Sequence, residues 1–377
     1  MKILHVITTL DVGGAEMHLL AQVRGQVARG HAVRIAYLKG KGSLARDFEA
    51  LGAESVECVG SGLGLPRKLW PGLAWAEIVH SHLLKADMAS AVLATLAGKR
   101  GALVSSKHND EQVLKRPLVS WVHGLLGRAP RCTISLSDHV ARFIAEHGRV
   151  PLARQQRIYY GLDPAPFERA ADEPRERKLE LRRSLGVAPE DVVFVCVARF
   201  APQKAHDVLL RAFAQARRQH PALRLLLVGD DPFGDGRDRA EALARQLELG
   251  PAVLFAGIRR DVPRLLGASD VFVMCSLWEG LGLVFLEAMA ARLPVLATRV
   301  SAVPEVVVDG ETGVLVPPSD VDALAAGMLS LAGDPARRAA LGARGAERVR
   351  KSFGLERMIE ETLDVYRRVQ RARPGGR

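Results

Sequence analysis

Several features that mark specialised classes of protein are scarce in this sequence of 377 residues. Aromatic residues make up only 5% of it. Its four cysteines lie far apart and form no CxxC pair, at Cys58, Cys132, Cys196 and Cys275. This spacing argues against a zinc module and against a disulfide framework, and it is typical of small core residues in a reducing compartment.

Long apolar runs are also missing. No stretch approaches the roughly 20 apolar residues that a membrane-spanning helix needs. The apolar start of the chain, residues 3–10, is too short and too polar for a secretory leader. We therefore expect a cytoplasmic protein that is either soluble or peripheral at the inner face of the plasma membrane.

Acidic residues are too few to balance the basic ones. The chain has 53 Lys and Arg against 42 Asp and Glu, a net charge of +11. Residues 1–168 carry +7, residues 169–332 carry −2 and residues 333–377 carry +6. Because net charge indicates partners rather than fold, the pattern fits an Arg-rich solvated surface and, equally, an anionic partner for the two ends of the chain.

What the sequence has in abundance is a repeated alternation of short apolar segments with helical ones. A first series opens with strand residues 3–7, a glycine turn and a helix over residues 15–28. A second series opens with the β-branched strand residues 192–197. This alternation predicts an α/β protein with two Rossmann-like, doubly wound parallel sheets. Ligands of such sheets bind at the carboxyl ends of the strands.

The two series are separated by turn-rich residues 161–166 and by the charged residues 172–183. We therefore predict an N-terminal domain over residues 1–168 and a C-terminal domain over residues 185–350. An amphipathic helix over residues 355–372 is expected to complete the first domain. Its apolar face would consist of Leu355, Met358, Ile359, Leu363, Tyr366 and Val369.

The densest chemical signal lies in residues 276–290. Glu279 falls in a glycine loop after a predicted strand, and Glu287 lies about one turn into the helix that begins near Leu283. Free N–H groups at such a helix start bind phosphate oxygens. Carboxylates repel a diphosphate, so hydroxyl groups of a sugar and a ribose are their natural partners. Taken alone, Glu287 is as readily explained as a solvent-facing helix residue.

A second signal is the pair Arg199 and Lys204, directly after the strand at residues 192–197. An Arg fork and a Lys point charge on a strand-to-helix loop can neutralise a diphosphate. A leaving nucleoside diphosphate gains charge in the transition state, so these cations would also accelerate the reaction. An isolated Arg and Lys on a loop are usually just solvated, but the position of these two residues at the sheet edge favours a functional role.

Looser signals lie in the first half of the chain. Gly13 and Gly14 follow the first strand and allow a ligand to approach the backbone closely, although they lack the spacing of a dinucleotide fingerprint. Three histidines stand at predicted strand ends, His80, His82 and His108. A single such histidine is more often packed or capping than catalytic.

Together these pieces resemble the retaining glycosyltransferases of family 4, which have the GT-B fold. The resemblance rests on Glu279-x7-Glu287 with its GLGLVFLEAMA continuation, on Arg199-x4-Lys204, on Gly13-Gly14, and on residues 303–316, VPEVVVDGETGVLV. It spans residue 2 to about residue 370. It implies two Rossmann-like domains facing across a cleft, with the C-terminal helix crossing back to the first domain.

The resemblance also implies roles for individual residues. Arg199 and Lys204 would hold the diphosphate of the donor, Glu279 would contact the transferred sugar, and Glu287 would contact the ribose. The backbone amides that would bind phosphate or sugar oxygens are those of Gly282, Leu283 and Val284. No metal and no cofactor is expected, since the nucleotide-sugar is a substrate.

The first domain would supply the acceptor side. Gly13 and Gly14 would close over the donor, His108 would lie near the reacting centre, and His82 would stand beside it. The resemblance thus places His108 with Glu279, Arg199 and Lys204 in the catalytic set. Transfer would proceed with retention, by same-face attack in which the leaving phosphate helps to deprotonate the acceptor.

Three positions depart from the family pattern. Ala205 stands where a glycine is common, Tyr159 and Tyr160 replace the Pro-Asn of a linker turn, and Arg292 stands where a small residue is common. None of these changes removes a charged group of the donor site. They bear on which donor is preferred.

Two further segments have competing interpretations. Asp320-Val-Asp322 is a DxD sequence, but it follows a proline turn and opens a helix, so capping is the better interpretation. Residues 113–128 combine Trp121 and leucines with flanking bases. They are either a helix that docks on an anionic membrane or a core helix with charged ends.

The sequence therefore predicts a retaining glycosyltransferase that moves a sugar from a UDP- or GDP-sugar to a glycan or lipid-linked acceptor. Cell-envelope or exopolysaccharide synthesis, including lipopolysaccharide, is the expected setting. A nucleotide-sugar epimerase on a similar architecture and a non-catalytic sugar-nucleotide binder are the alternatives. No nucleic-acid partner is expected, because no recognised reader motif accompanies the basic charge.

Overall fold

The computed structural model describes residues 1–231 and 234–372. The chain divides into two compact units, Met1–Gly161 together with the segment that begins at Leu355, and Leu162–Gly354. None of the helices in these described ranges is long and apolar enough to cross a membrane.

The first unit contains a parallel sheet of seven strands in the order β3-β2-β1-β4-β5-β6-β7. The strands are β1 Lys2–Thr9, β2 Ala32–Lys39, β3 Ser55–Cys58, β4 Ile78–His82, β5 Leu103–Lys107, β6 Cys132–Ser135 and β7 Gln155–Arg157. The helices between them are α1 Gly14–Ala28, α2 Ala45–Ala50, α3 Leu65–Trp75, α4 Leu84–Leu96, α5 Pro117–Leu126 and α6 Asp138–Glu146.

The second unit contains a parallel sheet of six strands in the order β10-β9-β8-β11-β12-β13. These are β8 Val192–Val197, β9 Leu223–Val228, β10 Val253–Gly257, β11 Val271–Met274, β12 Val295–Thr298 and β13 Gly313–Val316. Its helices are α7 Ala165–Ala171, α8 Arg175–Ser184, α9 His206–Gln219, α10 Gly236–Gln246, α11 Val262–Gly267, α12 Leu283–Ala290, α13 Val303–Val306, α14 Val321–Ala332 and α15 Pro335–Ser352. The prediction of two doubly wound α/β sheets is confirmed.

The central strands of both sheets are buried on two faces, which explains the nearly continuous apolar runs of β8 and β11. In the second unit, for example, the core contains Phe194, Leu225 and Val273 from three adjacent strands. The strand order reverses beside β1 in the first sheet and beside β8 in the second. Such a reversal opens a crevice at the carboxyl ends of two neighbouring strands, β1 and β4 or β8 and β11.

The last helix, α16 Leu355–Arg371, packs on the sheet of the first unit. Five of the six residues predicted from the apolar spacing are buried and join Ile3, Ile78 and Val104 in one cluster, and the sixth, Leu355, is partly buried against that cluster. Gly25 of α1 leaves room for Ile359, because a Cβ atom there would lie 2.1 Å from its Cδ1. The predicted apolar face of this helix is confirmed.

The division between the units differs from the predicted boundaries at residues 168 and 185. Contacts divide after Gly161, and the backbone N–H of Leu162 donates to the carbonyl of Phe353 at 2.8 Å. The charged segment is helix α8, held to the second unit through Arg182, whose Nη2 lies 2.7 Å from Asp270 Oδ2. The high charge of α8 therefore marks a helix with a solvated face rather than a linker.

The capping interpretation of Asp320 is confirmed. Its Oδ1 accepts a hydrogen bond of 2.8 Å from the backbone N–H of Ala323, at the start of α14. This contact satisfies one of the N–H groups that a helix start leaves without an intrahelical partner.

Candidate functional site

In the second unit, the loops after β8 and β11 carry most of the predicted donor residues. β8 and β11 are adjacent parallel strands, with Val271 opposite Phe194. Because parallel strands end at the same edge of a sheet, the loop that holds Arg199 and Lys204 meets the loop that holds Glu279. The topology therefore brings together residues that are 75 positions apart in the chain.

Lys204 and Glu279 form a buried ion pair. The Lys204 Nζ lies 2.5 Å from Glu279 Oε1, and their side chains are 13% and 6% exposed. Ser276 Oγ donates to the same carboxylate oxygen at 2.6 Å. A buried ion pair tolerates removal of neither partner, because the remaining charge is left without compensation. The sequence suggested separate ligands for these two residues, and it did not indicate their direct contact.

Backbone and amide contacts hold the two loops together. Gln203 Nε2 donates to the carbonyl of Trp278 at 2.6 Å, and the N–H of Leu277 donates to the carbonyl of Gln203 at 2.8 Å. Neither contact was predicted, since Gln203 lies between two cations and has no motif of its own. These contacts fix the position of one loop against the other and so hold Lys204 beside Glu279.

Two of the departures from the family pattern occupy left-handed backbone positions. Ala205 has φ 46° and Arg292 has φ 60°. This conformation costs an L-residue about 1–2 kcal/mol because of its Cβ atom, which explains why glycine suits these positions. Arg292 offsets part of this cost through two hydrogen bonds to Asp172, at 2.6 and 3.1 Å.

Arg199 is exposed at the same edge of the sheet. In the part of the chain that the structure describes, its guanidinium forms no ion pair with a carboxylate. Gly229, at the end of β9, packs against the backbone here, since a Cβ atom would lie 1.9 Å from the carbonyl oxygen of Ala198. An exposed guanidinium beside the buried ammonium of Lys204 gives this edge two cations.

Helix α12 presents its N-terminus at the end of the Glu279 loop. Gly282 has φ 82°, and a Cβ atom there would lie 2.5 Å from the ring of Phe285. Only glycine fits this entry to the helix. The first N–H groups of α12, which include Leu283 and Val284, have no intrahelical acceptor and suit an anionic oxygen. Packing around the half-buried Glu287 carboxyl raises its pKa to about 7.

In the first unit, Gly13 and Gly14 stand where helix α1 begins. A Cβ atom on Gly13 would lie 2.5 Å from Glu16 Oε2, whereas one on Gly14 would meet nothing within 4 Å. Glu16 is itself buried and accepts a hydrogen bond of 2.6 Å from Thr9 Oγ1. A side chain on Gly13 would thus displace the Glu16 carboxylate, and Gly14 is the exposed member of the pair.

The predicted histidines lie in one buried cluster of the first unit. His82 ends β4 and His108 directly follows β5, as predicted, whereas His80 lies in the middle of β4, so its predicted place at a strand end is wrong. His82 Nδ1 lies 3.0 Å from His108 Nε2, and His82 Nε2 lies 3.0 Å from His5 Nδ1. Burial is the main cause that lowers the pKa of His5 and His108 to about 4 and the pKa of His82 well below its usual range. These imidazoles are neutral near pH 7 and each offers one donor and one acceptor.

His80 belongs to the same cluster but points to other partners. Its Nδ1 lies 2.5 Å from the hydroxyl of Tyr366 on α16, and its Nε2 lies 2.7 Å from Ser106 Oγ. His5 and the Tyr366 hydroxyl were not predicted as parts of this cluster, and Tyr366 was predicted only as a member of the apolar face of α16. A histidine inside the apolar strand of residues 3–7 was the available signal for His5.

Tyr160, one of the departures from the family pattern, contacts the central histidine directly. Its hydroxyl lies 2.8 Å from His108 Nδ1, and its ring stacks on His18 with centroids 4.3 Å apart. The cavity beside these rings is also lined by Gln22 and Thr362. The neighbouring Tyr159 instead lies under the guanidinium of Arg157, 4.0 Å from its ring centroid.

Two other groups of side chains could take part in chemistry. Ring nitrogens of His5, His80 and His82 lie within 4.8 Å of one another, a spacing that suits a metal ion. Those nitrogens already take part in hydrogen bonds with each other and with neighbouring side chains. A buried pair, Lys107 Nζ and Asp87 Oδ2 at 2.5 Å, lies beside this cluster.

The comparisons with known proteins agree over nearly the whole chain. Residues 177–348 match the family profile of the glycosyl transferases group 1, and residues 12–166 match that of glycosyltransferase family 4. The chain is 33% identical over 273 residues to the GDP-mannose-dependent alpha-(1-6)-phosphatidylinositol monomannoside mannosyltransferase of Mycolicibacterium smegmatis, covering 68% of each chain.

Other relatives are matched over less of their length. A D-inositol 3-phosphate glycosyltransferase of Kineococcus radiotolerans is 36% identical over 242 residues, which are 58% of this chain and 55% of that protein. This chain thus spans little more than half of that relative.

Solved structures show the same fold at lower identity. HepE of Anabaena, solved in complex with UDP-glucose, superimposes with a TM-score of 0.87 at 22% identity, covering 98% of this chain and all of that one. WaaG, a glycosyltransferase involved in lipopolysaccharide biosynthesis, has a TM-score of 0.72 at 20% identity, covering 97% of this chain and 99% of WaaG. These likenesses confirm the predicted GT-B fold.

Proposed function

The chain belongs to the group 1 glycosyltransferases of family 4, and from that premise we propose that it transfers a hexosyl group, with retention, from a nucleotide-sugar to a hydroxyl-bearing acceptor. The observation that carries the proposal is the buried Lys204–Glu279 pair at the carboxyl edge of the second sheet. It places an ammonium and a carboxylate side by side, as a diphosphate joined to a sugar requires.

Each donor residue has a distinct task in this proposal. Lys204 uses one N–H on Glu279 and has two further donors for phosphate oxygens. Arg199 adds a second cation, and the N-terminus of α12 adds backbone N–H groups. Glu279 accepts hydroxyl hydrogens of the sugar. Glu287 accepts those of the ribose.

The reaction follows from the charge at this edge of the sheet. As the bond between the anomeric carbon and the phosphate oxygen breaks, negative charge builds on the diphosphate, where Lys204 and Arg199 stabilise it. The acceptor hydroxyl attacks from the same face and passes its proton to the departing phosphate oxygen. Metal and cofactor have no part in the proposed step. His108 accepts a hydrogen bond from a hydroxyl group of the substrate that receives the sugar.

The identity of the donor is proposed at the level of UDP- or GDP-sugars. A relative is named as GDP-mannose-dependent, and HepE was solved with UDP-glucose. Two relatives are named for acceptors that contain an inositol ring. We extend the proposal to a polyol, glycan or lipid-linked acceptor, in the synthesis of the cell envelope or an exopolysaccharide on the cytoplasmic side of the membrane.

Nucleoside diphosphate release tests this function. The protein is assayed with UDP- and GDP-sugars, with and without inositol phosphate and lipid-linked acceptors. Lys204→Met and Glu279→Gln are expected to lower kcat by about 100-fold or more, because each removes charge that is aligned for the transition state. Wild-type turnover in both variants would overturn the site assignment.

A matched control separates this effect from instability. Arg182 and Asp270 form another partly buried ion pair of the same unit, 2.7 Å apart, at the amino end of β11 rather than its carboxyl end. Arg182→Met is therefore expected to lower the melting temperature while the folded fraction keeps its kcat. A loss of kcat in this control as large as in Lys204→Met would attribute both losses to folding.

We also propose that helix α5 docks on an anionic membrane. Leu118, Trp121 and Leu125 lie on one face of α5 and are 74%, 58% and 59% exposed. The competing interpretation as a core helix would bury these side chains. Lys115 and Arg116 are exposed at the start of the helix. Apolar side chains beside exposed cations suit the interface of an anionic bilayer.

Vesicle sedimentation tests this docking. Binding to vesicles with phosphatidylserine is expected to exceed binding to neutral vesicles, to weaken with salt, and to fall in Trp121→Ala. Trp70, 46% exposed on α3, provides a matched control, and Trp70→Ala should bind like the wild type. Equal binding to neutral vesicles at high salt, or equal loss in both variants, would contradict the proposal.

A further inference from the structure

A chain of hydrogen bonds crosses the interior of the first unit from helix α1 to the end of its sheet. It has four links, and its members are, in order, Gln26, His5, His82, His108 and Tyr160. The links measure 2.9, 3.0, 3.0 and 2.8 Å. All five side chains are at most 8% exposed, so water does not compete for these bonds.

The direction of this chain follows from its first member. Gln26 Oε1 is an acceptor only, so His5 Nε2 must carry the hydrogen of their bond. A neutral imidazole then has a bare Nδ1, which accepts from His82 Nε2. Burial keeps these rings neutral by lowering their pKa values.

The same reasoning continues to the far end. His82 Nδ1 is bare and accepts from His108 Nε2, which therefore carries the hydrogen of His108. His108 Nδ1 is left with a lone pair, and the hydroxyl of Tyr160 donates to it. Had Gln26 presented its NH2 group to His5, every bond would reverse and His108 would carry its hydrogen on Nδ1.

Tyr366 of helix α16 determines which way the Gln26 amide faces. Its hydroxyl oxygen accepts from Gln22 Nε2 at 3.1 Å and from Gln26 Nε2 at 3.4 Å. His80 Nδ1 lies 2.5 Å from this hydroxyl. Because both amides donate to the hydroxyl oxygen, its single proton is left for His80 Nδ1, which then is the bare nitrogen of that ring. With that proton engaged, a reversed Gln26 amide would place two oxygens against each other without a hydrogen between them.

We propose that Gln26 and Tyr366 are positioning residues that hold His108 in the Nε2–H form, with its Nδ1 lone pair directed toward Tyr160. Neither residue touches substrate. Resting on the proposed function, this arrangement makes the His108 Nδ1 a hydrogen-bond acceptor, so the group that replaces or joins the Tyr160 hydroxyl there must be a hydrogen-bond donor. A hydroxyl group of the substrate that receives the sugar meets that requirement, and an ionised phosphate or carboxylate oxygen does not.

The tautomer itself is measured without any turnover assay. Protein with nitrogen-15 histidine is studied by long-range proton–nitrogen correlation, and His108→Gln assigns the His108 signals. Wild-type His108 is expected to show a protonated Nε2 and a bare Nδ1. A protonated Nδ1 would overturn the proposal whether or not the chain is a transferase.

Two variants test the source of the preference. Tyr366→Phe keeps the ring in its packed position but removes the hydroxyl, and Gln26→Met removes the amide. In both, the His108 signals are expected to become an average of the two tautomers. An unchanged wild-type pattern in both variants would show that Gln26 and Tyr366 do not position His108, and a variant that fails to fold leaves the other variant and the wild-type measurement to decide.

Activity provides the second readout. Gln26→Met is expected to lower kcat about tenfold or more while the KM for the donor stays within about twofold, since the charged residues of the donor site lie in the other unit. An averaged tautomer with unchanged kcat would sink the link to acceptor recognition. If the wild-type protein shows the expected tautomer but no transferase activity, that result would count against the proposed function alone.

Discussion

Acid should unfold the first unit before the second, because the first unit buries many neutral histidines. Six of its histidines are at most 8% exposed and have pKa values lowered mainly by burial: His5, His18, His80, His82, His108 and His123. In the described part of the second unit, only His206 is comparable, with its pKa lowered to about 4 by burial.

The size of the effect follows from proton linkage. In the unfolded chain each imidazole has a pKa of about 6.5, so it takes up a proton as the pH falls from 7.5 to 5.5, while the folded imidazole stays neutral. Each histidine thus loses about 1.4 kcal/mol of its contribution to stability over this range. This stability is present above pH 6.5 and is lost as the pH falls toward 4.

For the six histidines the loss comes to roughly 8 kcal/mol at pH 5.5, against about 1.4 kcal/mol for His206. Since a domain is typically stable by about 5–15 kcal/mol, the first unit should unfold near pH 5.5 while the second persists. The second unit is therefore an internal control in the same molecule.

Hydrogen exchange with peptide resolution, corrected for the intrinsic effect of pH, measures both units together. Peptides from β1 and β4 are expected to lose protection between pH 7.5 and 5.5, and peptides from β8 and β11 are expected to keep it. Equal loss of protection in the two sheets would refute the reasoning. So would a first unit whose stability is independent of pH over this range.

Three further predictions concern single residues. The pKa of Glu287 near 7 predicts that the KM for the donor rises up to about tenfold from pH 8 to 6 in the wild type and stays constant in Glu287→Gln, which initial rates would show. Lys107→Met leaves the buried Asp87 carboxylate unpaired and should lower the free energy of unfolding by about 3–5 kcal/mol, measured in urea, whereas Lys107→Arg should lower it less. Ala205→Gly relieves a left-handed backbone position and should raise the melting temperature slightly, a gain of up to about 1 kcal/mol; a clear decrease would contradict this.

Much of the fold was predictable because its signals are local. The β-branched run of β8 occupies the residues that the apolar pattern indicated, and the spacing of α16 identified its buried face. Where local signals were weak, prediction failed. Strand β7 consists of Gln155–Arg157, which is wholly polar, and α8 is so charged that it was taken for a boundary.

The candidate site was predictable only as a set of residues. Glu279 and Lys204 stood out because a sheet edge and a glycine loop are local features, but their direct contact depends on β8 and β11 being neighbours. His5 was missed because one histidine in an apolar strand has no partner in its own segment. Its partner His82 lies 77 residues away.

The sequence by itself determined the alternation of strands and helices, the two sheets, and the charged residues that each carboxyl edge carries. These depend on side-chain periodicity and backbone preferences over a few residues. Only the tertiary structure decided that Lys204 pairs with Glu279, that α5 exposes Trp121, and that Tyr366 reaches the histidine chain. Such contacts arise when parallel strands and a returning helix bring distant segments together, and no short stretch of the chain encodes them.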